Sequence, residues 1–195
     1  MDQKIVKLFN SKRNGFFIEV GAADGVDTSN TFLLEKKYNW RGLLIEPIKE
    51  YYYPCKKIRK KSIVVNYCLT NNLIKNPQSK MIKEDLKSKI INDEDSIGPS
   101  RNFEINPIEF IENTTLSNLL EKHSIKNVDI MSLDVEYHEI EVLKGYKSSS
   151  QIINYLLVET LFIEKFKKYA SERGWEYIEQ WNNDDYLFKL RKDSE

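Results

Sequence analysis

This chain has few cysteines and no net charge. Only two of its 195 residues are cysteines, which is too few for a disulfide framework or a structural zinc site, so we expect a reduced, cytoplasmic environment. Thirty basic and thirty acidic residues give a formal net charge of zero. Because general nucleic-acid binders carry a strong basic excess, the composition argues against nucleic acid as a partner.

Long apolar runs are missing as well. No stretch reaches the roughly 18 unbroken apolar residues of a membrane span, and residues 1–14 are too charged for a secretory signal. We therefore expect no membrane association. Apolar residues still make up 41% of the chain, which is enough for a packed core. The length favours one domain over residues 1–195, as a monomer or a homodimer.

Short apolar runs alternate with helical patterns along the chain. Strands are predicted at 16–20, 42–46, 62–66, 128–133 and 155–159. Helices are predicted at 28–37 (capped by Asp27 or Thr28), 48–60, 115–122, 140–143 and 161–173. Two last strands, in "WEYIEQW" and "DYLFKL", indicate an antiparallel hairpin. The pattern predicts an α/β fold: a Rossmann-like, mostly parallel sheet flanked by helices, with a C-terminal antiparallel hairpin.

Two segments depart from this alternation. Residues 70–113 are dominated by Asn, Lys, Asp, Ser and Pro and predict a loop insertion that folds over a site; the alternative is a surface excursion without a role. The basic run at 56–61 is interpreted as the solvated face of a helix in preference to a phosphate-binding patch.

The turn after the first strand, "EVGAADG" at 19–25, is rich in small residues. Gly21 lets the backbone turn and approach a ligand. A dinucleotide-binding loop would have a third glycine leading into the helix, which is missing here. Asp24 and Asp27 would repel a pyrophosphate. These features disfavour a nicotinamide-dependent oxidoreductase and favour a cationic or zwitterionic ligand with an amino group.

Glu46 ends the second strand, 27 residues after Glu19. An acidic side chain at this place is suited to accept hydrogen bonds from ribose hydroxyls. A cofactor with a nucleoside, a positive charge and no pyrophosphate is S-adenosylmethionine (SAM). The alternative is that Glu19 and Glu46 are solvated carboxylates at strand ends.

A second acidic cluster, Asp134-Val-Glu136-Tyr-His138-Glu139, follows the fourth strand. Titratable groups gathered at a sheet edge are candidates for catalysis. Methyl transfer to a hydroxyl benefits from a base, and we rank His138 and Asp134 before Glu136 in that role. A divalent metal held by Asp134, Glu136 and His138 is an alternative, possible but not expected.

Four blocks of the sequence resemble the FkbM-type SAM-dependent methyltransferases. They are "FIEVGAADGVDTSNTFLLEKKYNWRGLLIEP" (17–47), "VVNYCLTNN" (64–72), "TLSNLLEKHSIKNVDIMSLDVEYHEIEVLKGY" (115–146) and "LLVE" (156–159). Their order and spacing make the resemblance specific, and it covers most of the chain outside 73–113.

The resemblance implies a role for several residues. The methionine end of the cofactor would be lined by Glu19, Gly21, Ala22, Asp24 and Gly25. Its carboxylate would be held by Ser29 and Asn30, in the first turn of the following helix, where free backbone N–H groups favour an anion. Its nucleoside would be bound by Glu46 at the ribose, with Pro47, Asn66 and Tyr67 near the adenine. The acceptor side would include Tyr137, Glu139 and Glu159.

One departure from the family pattern concerns the acceptor. Glycine usually follows the D-V-E sequence in the family, and this chain has Tyr137. A tyrosine there would narrow the pocket, stack on a sugar ring, or signal lost activity. The resemblance implies an O-methyltransferase acting on a hydroxyl of a saccharide or small molecule. The alternatives are an inactive SAM-binding scaffold module and a methyltransferase that acts on RNA.

Overall fold

The computed structural model describes residues 1–71, 77–82, 89–91, 108–147 and 151–191. The strands are β1 (Phe16–Val20), β2 (Arg41–Ile45), β3 (Ile63–Val65), β4 (Cys68–Leu69), β5 (Gln78–Ile82), β6 (Lys89–Ile91), β7 (Ile108–Thr114), β8 (Asn127–Leu133), β9 (Ile152–Glu159), β10 (Trp175–Gln180) and β11 (Asp185–Leu190). The helices are α1 (Asp2–Leu8), α2 (Phe32–Tyr38), α3 (Lys49–Ile58), α4 (Leu116–Lys122), α5 (Glu139–Lys144) and α6 (Ile163–Glu172). In these ranges, no helix has both the length and the apolar character needed to cross a membrane.

The main sheet has seven strands in the order β10-β11-β9-β8-β1-β2-β3. The five strands from β9 to β3 are parallel to one another. Strand β11 pairs antiparallel with both β9 and β10. The predicted fold class is therefore confirmed, including the antiparallel hairpin. Strand order reverses between β1 and β8, which is where ligands bind in open sheets of this kind.

Alternate residues of β1 point to opposite faces of the sheet, and both faces are covered. Phe17 packs in a cluster with buried residues of α1, α2 and α3. Ile18 and Val20 pack in a second cluster with residues of α4, α5 and α6. Burial on both faces explains why the parallel strands read as continuous apolar runs.

The helix after β1 differs from its prediction. It begins at Phe32 with Thr31 as its N-cap, so the prediction of a start at Thr28 with an Asp27 or Thr28 cap is wrong. Residues 21–30 instead form a long turn that hydrogen bonds to a strand carboxylate. The cap of α4 follows its sequence signal, because the Thr115 hydroxyl accepts a hydrogen bond from Asn118 N at 3.1 Å.

A second sheet lies in the segment predicted to be irregular. Its strand order is β4-β7-β5-β6, and β5 pairs antiparallel with β6 and β7. Strands β5 and β6 and all but the last residue of β7 fall within 70–113, so these parts of the predicted loop insertion form strands. The remainder of that loop, at 72–76, 83–88 and 92–107, lies outside the described residues. Cys68, Met81 and Ile111 of this sheet pack in a buried cluster with Ile48, which precedes α3.

Candidate functional site

An open cavity lies at the carboxyl ends of β1, β2, β3 and β8. This is the edge of the sheet at which ligands bind in folds of this kind. The sequence-predicted residues that line the cavity are Gly21, Glu46, Pro47, Tyr67, Asp134, Glu136 and His138. Ala23 and Thr28 of the turn after β1 also line it, although they are not among the predicted site residues. Lining residues that the sequence did not single out include Ile48, Tyr51, Leu69, Met81 and Ile90. None of the described residues lining the cavity is Lys or Arg.

Gly21 stands where the ends of β1 and β8 meet. Its φ is +81°, and a Cβ atom built there would lie 2.0 Å from the carbonyl oxygen of Asp134. Asp134 N also donates to Val20 O at 3.1 Å. Glycine is required at this position because any side chain would push the two strand ends apart. Gly25 does not line the cavity; a Cβ atom there would lie 2.7 Å from Cys55 Sγ of α3.

The Glu46 carboxylate is held in the cavity wall by two backbone groups. Ala23 N donates to Oε2 and Ile48 N donates to Oε1, each at 2.8 Å. Burial raises the pKa of Glu46 to about 7, and these two hydrogen bonds oppose the rise. Each oxygen keeps a second acceptor position. The carboxylate is therefore fixed in place and can still accept hydrogen bonds from a ligand.

Glu19 is placed behind the turn and does not line the cavity. Its carboxylate accepts from Ser29 Oγ at 2.9 Å, from Asn30 N at 2.7 Å and from Thr31 Oγ1 at 2.6 Å. It also lies 3.4 Å from Arg59 Nη1. The geometry thus differs from the expectation that Glu19 contacts the cofactor.

Ser29 and Asn30 differ from their expected arrangement for the same reason. They precede α2, and their backbone N–H groups are not free, because Ser29 N donates to Val26 O and Asn30 N donates to Glu19. Neither residue lines the cavity, whereas Thr28 of the same turn does.

Asp24 and Ala22 belong to the same turn but do not line the cavity. Asp24 Oδ1 accepts from Val26 N at 2.8 Å and from Asp27 N at 3.1 Å. Ala22 is 1% exposed and packs in the core, and its neighbour Ala23 lines the cavity instead.

At the third strand, the two candidates for adenine contacts separate. Tyr67 lines the cavity. Asn66 does not; its amide donates to Glu46 O at 2.9 Å and to Pro47 O at 2.6 Å. Asn66 therefore holds the backbone that follows β2, which carries the lining residues Glu46, Pro47 and Ile48.

Carboxylates crowd together after β8 and β9. Burial, reinforced by repulsion from Glu159, Glu136, Asp185 and Glu139, raises the pKa of Asp134 to about 8. Asp134 and Glu136 line the cavity, whereas Glu139 and Glu159 do not. Glu139 is buried and closes the turn by accepting from Tyr137 N at 2.9 Å. Burial also raises the pKa of Glu139 and of Glu159.

His138 lines the cavity and has an imidazole Nε2 that is buried without a hydrogen-bond partner in the described part of the chain. Burial lowers its pKa from 6.5. The imidazole is therefore neutral at pH 7 and can accept a proton.

Tyr137, at the position of the family glycine, has a φ of +75°, and Glu136 before it has a φ of +46°. Glycine adopts this left-handed conformation without strain, which explains its presence in the family pattern. The Tyr137 side chain is 53% exposed and lies 5.8 Å from the Phe162 ring, centroid to centroid. It does not line the cavity, so the structure gives no support to the alternative that it narrows the pocket.

Asp134, Glu136 and His138 share the cavity but do not form a metal-binding group. Across the described residues, no three His, Cys, Asp or Glu side chains are grouped so that they could hold an ion. The metal alternative therefore has no geometric support.

The fold of this chain is similar to that of several solved structures. No significant match was found among curated protein sequences. Among solved structures, a TehB-like SAM-dependent methyltransferase from Corynebacterium glutamicum is similar with a TM-score of 0.57 and 8% identity, over 97% of this chain and 87% of that chain. Methyltransferase FkbM from Methylobacillus flagellatus has a TM-score of 0.54 and 11% identity, over 92% of this chain and 44% of that chain. A human methyltransferase 10 domain containing protein has a TM-score of 0.51 and 11% identity, over 93% of this chain and 73% of that chain.

At identities this low, the structural similarities establish the fold alone. The family assignment comes from the sequence, because the model of the methyltransferase FkbM domain matches residues 19–189. This match includes both the turn after β1 and the acidic cluster after β8. The chain belongs to the FkbM family of SAM-dependent methyltransferases.

Proposed function

We propose that this protein transfers a methyl group from SAM to a hydroxyl of a saccharide or small-molecule acceptor. The observation that carries the proposal is the single cavity that joins the Glu46 carboxylate, at the end of β2, to Asp134 and His138, after β8. One side of this cavity suits a nucleoside, and the other offers a base.

Cofactor binding is supported by the lining of the cavity. Glu46 would accept hydrogen bonds from the ribose hydroxyls through the acceptor positions that its backbone partners leave open. Ile48, Tyr51, Tyr67 and Leu69 provide an apolar and aromatic wall for the adenine. A cavity with carboxylates and without Lys or Arg among its described lining favours a sulfonium cation.

The small second sheet would close the nucleoside side of the site. Met81 of β5 and Ile90 of β6 line the cavity together with residues that follow β2 and β3. We infer that this part of 70–113 acts as a cover over the cofactor, which retains the role expected for the insertion.

The chemistry that SAM supplies is an electrophilic methyl carbon on a sulfonium. The acceptor oxygen would bond to this carbon while the carbon–sulfur bond breaks and its electron pair returns to sulfur, leaving S-adenosylhomocysteine. The hydroxyl proton would pass to His138 Nε2, which is neutral and has no other partner among the described residues. Asp134 lines the same cavity and would orient the acceptor hydroxyl.

The acceptor side has features that suit a saccharide. Tyr137 and Phe162 form an exposed aromatic pair beside the turn that carries Glu136 and His138. Aromatic faces pack against the apolar faces of sugar rings, and the nearby carboxylates accept hydrogen bonds from sugar hydroxyls.

Calorimetric titration with SAM, with NAD as the control ligand, tests the cofactor. Micromolar binding of SAM alone is expected, and binding of neither would contradict the proposal.

Transfer of labelled methyl groups to a panel of saccharides, small alcohols, amines and RNA then tests the acceptor. SAM binding without transfer to any of them would favour the inactive scaffold module, and transfer to RNA or an amine alone would replace the O-methylation hypothesis.

His138→Gln tests the base. We expect turnover to fall by roughly 100-fold or more, with cofactor affinity unchanged. Unchanged turnover would remove His138 from the chemistry.

A further inference from the structure

We propose that Arg59 is a positioning residue that holds the turn at 21–31 in the shape that binds the cofactor. Arg59 does not line the cavity. The inference rests on the proposed SAM binding and adds a residue that controls it from behind the turn.

Arg59 follows α3 and is 0% exposed, although the basic run that contains it was expected to be solvated. Its neighbours Lys57 and Lys60 are exposed, as expected. In sequence the three residues belong to one basic run. In the structure only Arg59 points into the protein, toward the turn after β1.

The guanidinium of Arg59 donates to the turn at three separate positions. Nη1 donates to Gly25 O at 3.1 Å and to Ser29 Oγ at 3.0 Å. Nη2 donates to Thr31 Oγ1 at 2.8 Å and to Thr31 O at 3.3 Å. The planar fork of arginine makes several such bonds at fixed angles, whereas a lysine ammonium is a single point donor. The side chain therefore ties the middle of the turn to its end.

Two buried carboxylates fix the guanidinium itself. Arg59 Nε lies 3.1 Å from Glu35 Oε2 of α2, and Nη1 lies 3.4 Å from Glu19 Oε2 of β1. These carboxylates are 2% and 4% exposed. The rings of Phe17 and Phe32 lie 5.3 Å and 5.8 Å from the guanidinium carbon. A charged group held in this way has one orientation, so the groups that it contacts are also held.

The same turn supplies the cavity with Gly21, Ala23 and Thr28. Thr28 lies between Gly25 and Ser29, both of which accept from Arg59. Ala23 N, in turn, donates to the Glu46 carboxylate. Displacement of the turn would therefore move part of the cavity wall and release one of the two hydrogen bonds that orient Glu46. This connects the buried side chain that follows α3 to cofactor affinity.

Arg59→Lys tests this inference because it keeps the charge and removes the fork. We expect the dissociation constant for S-adenosylhomocysteine, measured by calorimetry, to rise about 10-fold, which is about 1.4 kcal/mol. We also expect faster hydrogen exchange of the backbone amides at 21–31. Thr31→Val, which removes the hydroxyl between Arg59 and Glu19, is the milder second variant, with a smaller rise in the same constant.

Phe188→Leu is the control for a general loss of stability. Phe188 is 0% exposed and lies in β11, three strands away from β1 in the main sheet. At a temperature where all variants are folded, the control should keep wild-type affinity and wild-type exchange at 21–31. The inference is overturned if Arg59→Lys and Thr31→Val keep wild-type affinity, or if the control loses as much affinity as they do.

The exchange measurement separates this inference from the proposed function. Wild-type protein that binds neither SAM nor S-adenosylhomocysteine would contradict the proposed function, and with it a role of Arg59 in affinity. Exchange at 21–31 that is unchanged in Arg59→Lys would overturn the positioning role itself, whatever the ligand does.

Discussion

The two halves of the cavity differ in the groups that surround the nearby carboxylates. The cofactor half follows β1 and β2, and the acceptor half follows β8. Glu46 receives two backbone N–H groups, and Glu19 receives hydroxyls, an N–H and a guanidinium. Burial, reinforced by repulsion from neighbouring carboxylates, raises the pKa of Asp134. The first half is organised before any ligand binds. The second half is electrostatically unbalanced until a ligand brings positive charge or a proton is bound.

The backbone shows a weaker form of the same contrast. Glycine occupies two of the three left-handed positions of the first turn, at Gly21 and Gly25, and Ala23 occupies the third with a φ of +44°. Glu136 and Tyr137 adopt left-handed angles in the second turn with side chains that disfavour them. Strain and like charge both gather where the acceptor would bind, a common place for them in enzymes. Each of the following predictions changes one side of this comparison.

The largest effect is expected for Gly21→Ala. Its Cβ would lie 2.0 Å from Asp134 O, so the ends of β1 and β8 must separate. We expect a loss of about 3 kcal/mol or more in the free energy of unfolding, together with loss of cofactor binding. Urea denaturation and calorimetry measure the two effects.

Gly174→Ala is the matched control for Gly21→Ala. Gly174 has a φ of +90°, but its Cβ would be 3.7 Å from the nearest side chain, that of Leu190. Only the backbone strain is therefore added, at about 1–2 kcal/mol, and cofactor affinity should be retained. Equal effects of the two substitutions would show that the contact with Asp134 is unimportant.

Asp134→Asn should reduce turnover by roughly 100-fold and change cofactor affinity less. It should also stabilise the protein in a pH-dependent manner. The folded pKa of Asp134, about 8, is raised above the ordinary value of 3.8, so the wild-type protein loses stability as pH rises between these values. The difference in unfolding free energy between variant and wild type should grow from pH 4 to pH 8 and stay constant above it.

Urea denaturation across this pH range measures the stability difference for Asp134→Asn. Comparison with wild type removes the contributions of the titrating groups that do not interact with Asp134, which both proteins share. A fully active variant would remove Asp134 from the mechanism. A stability difference that does not change with pH would contradict the electrostatic crowding.

Glu46→Ala should weaken SAM binding by roughly 1–3 kcal/mol, the cost of leaving polar groups without partners. Because the pKa of Glu46 is about 7, wild-type affinity should increase as pH rises from 6 to 8. The variant should lose that part of the pH dependence. Glu121→Ala, at an exposed position of α4, is the control and should bind as wild type. Unchanged affinity of Glu46→Ala would exclude Glu46 from the site.

The sequence identifies the framework of the site better than its inner contacts. Strand β1 is predicted with its observed bounds because burial on both faces leaves a continuous apolar run. Gly21, Glu46 and Asp134 follow from the rule that ligands bind beyond strand ends. The start of α2 is mispredicted because Ser29, Asn30 and Thr31 bond to Glu19, a residue of the preceding strand.

Two other features depend on packing that no local pattern reports. Arg59 lies in a basic run with exposed lysines, and no local pattern marks it as the buried member; it is buried because the end of α3 packs against the turn. The strands of the second sheet pair across many residues, as Met81 does with Glu109. Their composition is that of a loop, so the pairing outweighs the local preference.

The smallest effect is expected at Tyr137. Tyr137→Gly removes the strain of a φ of +75° and also the contact with Phe162. Tyr137→Ala removes the contact but keeps the Cβ and hence the strain. The glycine variant should therefore be more stable than the alanine variant by about 1 kcal/mol, which reverses the usual order of these residues. Urea denaturation of the pair measures this difference.

Acceptor use by the same pair of variants tests the aromatic face. If Tyr137 stacks on a sugar ring, both variants should raise the Michaelis constant for a saccharide acceptor to a similar extent, with cofactor affinity unchanged. A rise in the alanine variant alone would instead point to the shape of the turn. An alanine variant as stable as the glycine variant would mean that the left-handed angle carries no cost, and the contrast between the two turns would then lie in their charges alone.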